Sequence, residues 1–296
     1  MQRTRPPWHT RLGRGALLLA LVGGAALLAS PAQAAGPTLA IVDGPARLVD
    51  ARATVEAALG LPLDRPLIIQ TGNASRLQRV VWSGGGQFDL GPDTQVLVLP
   101  RGMADRQRGA AALYLVRGWV KLSAKKAGDT PALLTPQFDL PSAPGVAVVQ
   151  VEAGRSSLFS ETGNLPLVER NGTRVQVPAG QFHTVAAGQP GTGAARPPGS
   201  FMQAVPRAFR DTLPTPALPA GKPPAARELA RANYAELRDW LVGEPALRRT
   251  IVTHFSAWAR EPAFRAQLLR ALSEHPEWEP IVNPPPSKSA PSAPPR

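Results

Sequence analysis

Between residues 38 and 187 the sequence consists of short apolar runs separated by Gly, Pro, Asn and Asp. Examples are the runs at 67–69 (Leu-Ile-Ile), 96–99 (Val-Leu-Val-Leu) and 146–149 (Val-Ala-Val-Val). Residues 173–177 (Thr-Arg-Val-Gln-Val) alternate polar and apolar side chains, as a half-buried strand does. Such short runs, at intervals of about ten residues, are typical of a β-sandwich, barrel or solenoid and not of an alternating α/β fold.

Two local patterns refine this prediction for residues 38–187. The Asn171-Gly172 pair lies between two apolar runs and predicts a tight β-hairpin, because both residues tolerate the left-handed backbone of such turns. Residues 55–61 are the one stretch predicted to form a helix within the β-region.

The composition changes at residues 188–224, where proline and glycine are frequent and periodicity disappears, which predicts a semi-extended linker. Within it, Phe201, Met202, Val205, Phe209 and Leu213 stand between charged residues. A simple spacer would not carry these apolar side chains. We expect this segment to pack back on the β-domain; the alternative is a docking peptide for a partner.

Residues 225–282 show apolar side chains at helical spacing and predict a small three-helix module. Glu244-Pro245 and Glu261-Pro262 each fit a helix start, since proline at the first helical position loses no hydrogen bond. Residues 279–280 repeat the Glu-Pro pair. The core candidates are Trp240, Trp258 and Trp278, and the Pro/Ser-rich tail 283–296 is predicted to be disordered.

The first 34 residues have the pattern of a secretory signal peptide. Four arginines precede an apolar run at 16–29, and the small residues Ala32 and Ala34 follow it. We expect cleavage before Ala35 and a periplasmic mature chain. An uncleaved N-terminal anchor is the alternative, although the run is shorter than the ~20 residues of a spanning helix.

Charge and cysteine content restrict the partners. Removing the four arginines of residues 1–34 reduces the formal net charge from +12 to +8. For an exported chain we expect no nucleic acid partner, which leaves anionic lipids, acidic cell-wall polymers and acidic protein surfaces. The chain has no cysteine, so disulfides, thiol nucleophiles and thiolate metal sites are excluded.

The sequence holds no clustered catalytic motif. Its four histidines show no metal-binding spacing, and no phosphate loop or serine nucleophile elbow is present. We therefore expect no metal, no cofactor and no catalytic residue. The enzymatic alternative is a glycan hydrolase, which needs two facing carboxylates; the carboxylates considered are Asp89, Asp93, Glu152 and Glu161. A related alternative is sugar binding, without hydrolysis, by the rings of Trp82, Tyr114 and Trp119. The competing interpretation is that these rings are buried in the core.

Several turns and strands of residues 38–187 resemble the FecR family. The stretches concerned are 70–75 (Gln-Thr-Gly-Asn-Ala-Ser), 84–96 with its Gly-Pro-Asp-Thr corner, 113–122 with Gly118 inside a strand pair, and 146–187. The resemblance implies a periplasmic β-rich module that takes part in envelope signalling. Family members usually carry a cytoplasmic domain and a spanning helix, whereas this chain starts with a signal-peptide pattern, so direct control of a sigma factor is not implied.

We therefore predict a mainly β chain, a sandwich or solenoid-like FecR-type domain at 38–187, followed by a Pro-rich linker and a small three-helix module. The predicted function is non-enzymatic binding of an envelope protein in periplasmic signalling or regulation. A cell-wall or polysaccharide binder or glycan hydrolase is the alternative. The partner-binding candidates are Phe201, Phe209, Trp119 and Trp258.

Overall fold

The computed structural model describes residues 36–82, 84–100, 111–211, 213–218 and 222–284. The predicted signal peptide and residues 285–296 of the predicted tail lie outside these ranges. In the described part of the chain the short apolar runs form strands β1 (Thr38–Asp43), β2 (Ala46–Val49), β3 (Thr54–Glu56), β4 (Leu67–Thr71), β5 (Leu77–Val81), β6 (Gln87–Leu90), β7 (Gln95–Leu99), β8 (Ala112–Ala124), β9 (Ala132–Leu134), β10 (Phe138–Leu140), β11 (Gly145–Glu152), β12 (Arg155–Thr162), β13 (Leu165–Glu169), β14 (Arg174–Val177), β15 (Phe182–Ala186), β16 (Thr192–Ala194) and β17 (Glu228–Leu229).

Helices occur only after the main β-region in the described ranges, and none is long and apolar enough to cross a membrane. They are α1 (Gly199–Ala204), α2 (Arg207–Arg210), α3 (Tyr234–Leu241), α4 (Pro245–Phe255), α5 (Pro262–Arg270) and α6 (Glu279–Val282), with 3₁₀ turns at Ser256–Arg260, Leu272–Glu274 and Pro276–Trp278.

The strands form two sheets that share β8. Sheet 1 has the order β1-β5-β6-β8-β11-β12-β15-β16. Sheet 2 has the order β17-β3-β2-β4-β7-β8-β9-β10-β13-β14. All of these pairs are antiparallel except β8–β9, which is parallel. The predicted fold class, a mainly β chain followed by a small helical module, is confirmed.

Strand β8 passes from one sheet to the other at Gly118. Its first half pairs with β7 in sheet 2, and its second half pairs with β6 and β11 in sheet 1. The change of direction uses a left-handed backbone with φ +94°. A Cβ atom on Gly118 would lie 2.5 Å from the Cα of Thr94, so both the backbone angle and the available space require glycine.

An apolar core fills the space between the two sheets. Its largest members include Leu63, Phe88 and Phe138, none of which is exposed to solvent. Along β7, Val96 and Val98 point into this core, because alternate side chains of a strand face opposite sides of the sheet. The sandwich therefore forms a two-sheet core of the kind expected for short antiparallel strands.

The outer face of sheet 2 is covered by the C-terminal helices. Ile68, Leu97 and Tyr114 of the sheet share one apolar cluster with Trp240 and Trp278. The prediction of a small helical module is confirmed, and all three predicted core tryptophans are buried in it, but its described residues form four α-helices, α3 to α6, and not three. Helices α4 and α5 begin at proline, directly after glutamate, as the repeated Glu-Pro pair predicts.

The outer face of sheet 1 is covered by residues 199–211, which we call the strap. Its side chains Phe201, Val205 and Phe209 are buried against Trp119, Phe182 and other apolar residues of sheet 1. The strap lies within the predicted linker 188–224, which also contains β16. The expectation that this segment packs on the β-domain is confirmed for Phe201, Val205 and Phe209, whereas Met202 and Leu213 are exposed.

Two turn predictions have different outcomes. The Asn171-Gly172 hairpin is confirmed, since β13 and β14 pair across it and the Gly172 N–H donates to the Glu169 carbonyl at 2.9 Å. The helix predicted at 55–61 is wrong. Residues 54–56 form β3, whose pairing with β2 and β17 outweighs the helical preference of the following Ala-Ala-Leu sequence.

Candidate functional site

A row of four polar side chains crosses one end of sheet 2. Arg47 of β2 is directly opposite Gln70 of β4, Gln70 is opposite Gln95 of β7, and Gln95 is opposite Arg117 of β8. Directly opposed residues in antiparallel strands lie close together on the same face. The row therefore brings together four residues from four strands that are far apart in the sequence.

This polar row continues the outer face of sheet 2 beyond its apolar part. Gln70 and Gln95 each lie two residues from an apolar residue of that face, Ile68 and Leu97. Since the side-chain period of a strand is two, they share this face with the residues that the helical module covers. The face thus changes from apolar to polar along these strands while it stays buried at Gln70 and Gln95.

Helix α3 lies over the polar row and forms ion pairs with the two arginines of that row. Arg47 Nη2 lies 3.0 Å from Glu236 Oε1, and Arg117 Nη1 lies 3.6 Å from Asp239 Oδ2. The two acids are three residues apart and so belong to one face of the helix. Arg47 Nε also donates to Gln70 Oε1 at 2.7 Å, which ties the arginine to the neighbouring strand as well. The row positions α3 against the sheet.

The space between the row and α3 is an open groove of about 600 Å³, which we call the polar cleft. Its volume lies in the range of ~300–1,000 Å³ that is typical of ligand sites. Besides the row and α3, it is lined by Glu56, Asp93 and Leu229. Arg227 Nε donates to Glu56 at 2.6 Å, and this hydrogen bond lowers the pKa of the Glu56 carboxyl below its usual value.

Two acceptors in the polar cleft have no partner among the described residues. The Gln95 side chain is only 5 % exposed, and its Oε1 accepts no hydrogen bond. Buried polar atoms are nearly always paired, so this orphaned oxygen is a notable exception. At the rim, Asp93 is exposed, forms no ion pair within the described ranges, and has the left-handed φ of +48°. A non-glycine residue in this conformation often marks a functional position.

A second hollow of about 420 Å³ adjoins the polar cleft, and the two share Asp93 and Arg117. Trp119, Gln150 and Glu152 line this second hollow. The Trp119 indole is 8 % exposed and its ring centroid is 5.3 Å from that of Phe201 in the strap. The polar cleft and the second hollow are thus two neighbouring hollows, and we refer to the pair as the groove.

The turn at residues 91–94 holds Asp93 between these two hollows. The Thr94 N–H donates to Thr71 Oγ1 at 2.8 Å, and the Thr71 hydroxyl donates to the Gly91 carbonyl at 2.7 Å. The Trp119 N–H donates to Thr94 Oγ1 at 2.9 Å. These hydrogen bonds are buried, so the turn has a fixed position relative to the crossing strand β8.

The four partner-binding candidates from the sequence occupy two places. Trp119, Phe201 and Phe209 come together in the apolar cluster beneath the strap, where they are 8 %, 6 % and 1 % exposed. Trp258 lies in the helical module, and its Nε1–H donates to the Asp50 carbonyl at 3.0 Å. All four side chains contact residues of this chain, and only Trp119 lines a hollow of the groove.

Of the four carboxylates considered for a glycan hydrolase, Asp93 and Glu152 both line the second hollow, whereas the other two lie elsewhere and are paired. Asp89 is buried and accepts two hydrogen bonds of 2.7 Å from Arg79, while Glu161 lies 2.8 Å from Lys121 Nζ. Of the rings considered for sugar binding, Tyr114 is fully buried in the contact between sheet 2 and the helices. Within the described residues, no group of three or more His, Asp or Glu side chains could hold a metal ion.

Sequence reasoning missed the polar row. Arg47, Gln70, Gln95 and Arg117 are separated by more than twenty residues each, and no spacing in the sequence connects them. Only the register of four neighbouring strands brings them together. The one signal available was the presence of polar residues at the ends of otherwise apolar strands, which does not select these strands from others.

Comparison with known proteins yields limited similarity. No protein-family model and no curated protein matches the chain. Two crystal structures, at 1.65 and 2.50 Å resolution, of a candidate anti-sigma factor from Parabacteroides distasonis ATCC 8503 are similar to part of it. Each has 12 % sequence identity and a TM-score of 0.37, and the match covers 44 % of this chain and 59 % of the other. The chain thus matches little more than half the length of these structures.

Proposed function

We propose that this chain is a non-enzymatic protein of the cell envelope that binds a protein partner in periplasmic signalling or regulation. The polar cleft is the binding site. The sequence resemblance to FecR-type modules supports the signalling context, and the N-terminal sequence pattern supports export. The cleft supplies the place where a partner contacts the folded chain.

The observation that carries this proposal is the unpartnered amide oxygen of Gln95. Leaving a buried acceptor without a donor costs about 1–3 kcal/mol. The oxygen is buried in the free chain, so a partner in the cleft reaches it only after the Gln95 side chain rotates, and a hydrogen bond formed in this way offsets the cost. Partner binding therefore gives a physical reason for a buried side chain in the polar row that keeps an unpaired acceptor.

The shape of the groove favours an extended peptide segment over a compact ligand. The polar cleft and the second hollow adjoin at Asp93 and Arg117, so the site is longer than a single pocket. Its lining mixes polar and apolar atoms, as protein–protein contact surfaces do. Both walls come from well-packed layers, sheet 2 on one side and α3 on the other, so the site needs little rearrangement to bind.

Photocrosslinking in cells tests this proposal. A photoreactive residue is placed at position 235, because Ala235 is exposed and lines the polar cleft. The matched control replaces another exposed alanine, Ala266 of α5, which is not part of the cleft lining. We expect one defined protein adduct from position 235 and none of that mass from position 266.

The adduct is then identified, and the purified partner is tested for direct binding to the full chain. A discrete adduct whose partner binds the purified chain supports the proposal. Adducts of peptidoglycan or polysaccharide at position 235 would favour the glycan-binding alternative. Protein adducts that form equally from both positions would show that the polar cleft is not the contact surface.

Export is tested separately on the same cells. N-terminal sequencing of the chain from a periplasmic fraction should begin at Ala35 if the signal peptide is cleaved as expected. A chain that retains residues 1–34 in the membrane fraction would support the anchored alternative. A chain found only in the cytoplasm would contradict the envelope assignment.

A further inference from the structure

The groove formed by the polar cleft and the second hollow has a charge opposite in sign to that of the whole chain. The chain carries a formal net charge of +12. The groove is lined by five acids and two arginines: Glu56, Asp93, Glu152, Glu236, Asp239, Arg47 and Arg117. A concave surface lined mainly by one sign of charge concentrates the field and attracts the opposite charge.

Both lining arginines already have partners within the chain. Arg47 contacts Gln70 and Glu236, and Arg117 contacts Asp239. The Arg227 guanidinium outside the groove likewise binds Glu56. These cations neutralise three of the five acids, and neither lining guanidinium is left unpaired for an anionic ligand.

The remaining charged groups of the groove are two carboxylates, those of Asp93 and Glu152. Asp93 forms no ion pair within the described ranges, and Glu152 accepts a hydrogen bond of 2.9 Å from the neighbouring Gln150 amide. The buried Gln95 Oε1 accepts none from the described residues. Carboxylates and amide oxygens accept hydrogen bonds and cannot donate them, so the complementary ligand must supply N–H or O–H groups.

The aromatic edge of the groove fits the same ligand. Trp119 lines the second hollow together with Asp93 and Glu152, while Phe201 of the strap packs against its ring. Lysine and arginine side chains combine a donor head with an apolar stem, and they bind favourably beside an indole. In this hollow the Asp93 carboxylate supplies the charge for such a side chain, and the small exposed part of Trp119 supplies an apolar contact.

We propose that the groove binds an extended segment of the partner that carries arginine or lysine, with one cationic side chain beside Asp93 and an N–H donor directed to Gln95 Oε1. This inference rests on the proposed function, because it names the chemistry of the partner at the same site. Charge-assisted hydrogen bonds to carboxylates are the stronger class of such contacts, and they make association sensitive to salt.

Fluorescence anisotropy with a defined probe tests the inference. The probe is a short labelled peptide with two arginines among glycine and serine, and the matched probe has glutamate in place of both arginines. We expect the arginine peptide to bind the full chain at low salt and its affinity to fall as the salt concentration rises. The glutamate peptide should bind no better than a peptide with glycine in both positions.

Two charge-matched variants locate the binding. Asp93→Asn removes the carboxylate and keeps a residue that tolerates the left-handed backbone, so the variant should fold. Asp64→Asn removes an exposed carboxylate outside the groove and changes the net charge equally. We expect about fivefold weaker peptide binding for Asp93→Asn, which is the size of one exposed ion pair, and no change for Asp64→Asn.

Equal binding to wild type and Asp93→Asn, or equal loss in both variants, would overturn the inference. So would glutamate-peptide binding that matches that of the arginine peptide. The proposed function stands or falls separately, on the photocrosslinked partner. A partner that crosslinks at position 235 and binds Asp93→Asn as tightly as wild type would refute the cationic segment and leave partner binding intact.

Discussion

The Trp119 backbone N–H donates to Thr94 Oγ1 at 2.9 Å, and this hydrogen bond joins the turn at 91–94 to the crossing strand β8. Gly118 precedes Trp119 and lies directly against Thr94. The same short stretch therefore sets the position of Asp93 in the groove and of Trp119 beneath the strap. The passage of β8 between the two sheets and the geometry of the candidate site therefore share this contact.

Gly118→Ala should destabilise the fold by more than ~2 kcal/mol. The new Cβ would lie 2.5 Å from the Cα and Oγ1 atoms of Thr94, in addition to the cost of a left-handed alanine. Gly128→Ala is the control, because Gly128 has a similar φ of +89° and no atom within 4 Å of a Cβ. Its expected cost is ~1 kcal/mol. Urea unfolding measures the loss of unfolding free energy in each variant. Equal losses would contradict the close contact between Gly118 and Thr94.

Gln95→Met should stabilise the free chain and weaken partner binding. Methionine has a similar volume and removes the buried amide whose Oε1 has no partner, which saves ~1 kcal/mol or more. The lost acceptor should at the same time reduce affinity for the partner. Urea unfolding and a binding titration on the same preparation test both effects. A loss of stability would mean that the Gln95 amide supports the fold.

Asp89→Asn should cost ~3–5 kcal/mol, because it leaves the Arg79 guanidinium buried without its counter-ion. The Arg79 and Asp89 side chains are each 3 % exposed and form two hydrogen bonds of 2.7 Å. The control is Asp43→Asn, which breaks the exposed pair of Asp43 with Arg76 and should cost less than ~1 kcal/mol.

The loss of Asp89 should also loosen the segment that follows the strap, since Arg79 Nη1 donates to the Leu213 carbonyl at 2.6 Å. Limited proteolysis near residue 213 measures this effect. Equal unfolding free energies for Asp89→Asn and Asp43→Asn would contradict the structural role of the buried pair.

Stability should fall as the pH decreases through about 6.5, partly because of His275. Burial lowers the pKa of His275 below its usual value, against the smaller opposite effects of a backbone hydrogen bond and of Glu274. Below about pH 6.5 the unfolded chain therefore takes up a proton on this histidine that the folded chain does not, which favours unfolding. His275→Gln should reduce the difference between melting temperatures at pH 7.5 and 5.5. An unchanged difference would show that other groups cause the pH dependence.

The sequence was sufficient for the parts of the fold that depend on neighbouring residues. The hairpin at Asn171-Gly172 follows from the left-handed backbone of Gly172, with φ +88°, and the helix starts at Pro245 and Pro262 follow from the missing N–H of proline. The strap was expected to pack on the β-domain because its apolar residues are too large for a spacer, and the structure buries Phe201, Val205 and Phe209 but leaves Met202 exposed.

The candidate site could not be predicted because it depends on long-range register. A shift of one residue between β4 and β7 would remove Gln95 from the face that it shares with Gln70. No short-range pattern reports that register. The aromatic residues proposed as partner contacts were selected for their size, and size equally favours burial, which is where the structure places Phe201, Phe209 and Trp258.

Hydrogen–deuterium exchange of the full chain, with and without its purified partner, tests the central claim most directly. We predict new protection in the peptides that contain Gln70, Asp93, Arg117 and residues 235–239, which together surround the polar cleft. Helix α5, which does not line the cleft, should be unchanged. Protection confined to α5, or to another surface away from the cleft, would contradict the account and place partner binding elsewhere.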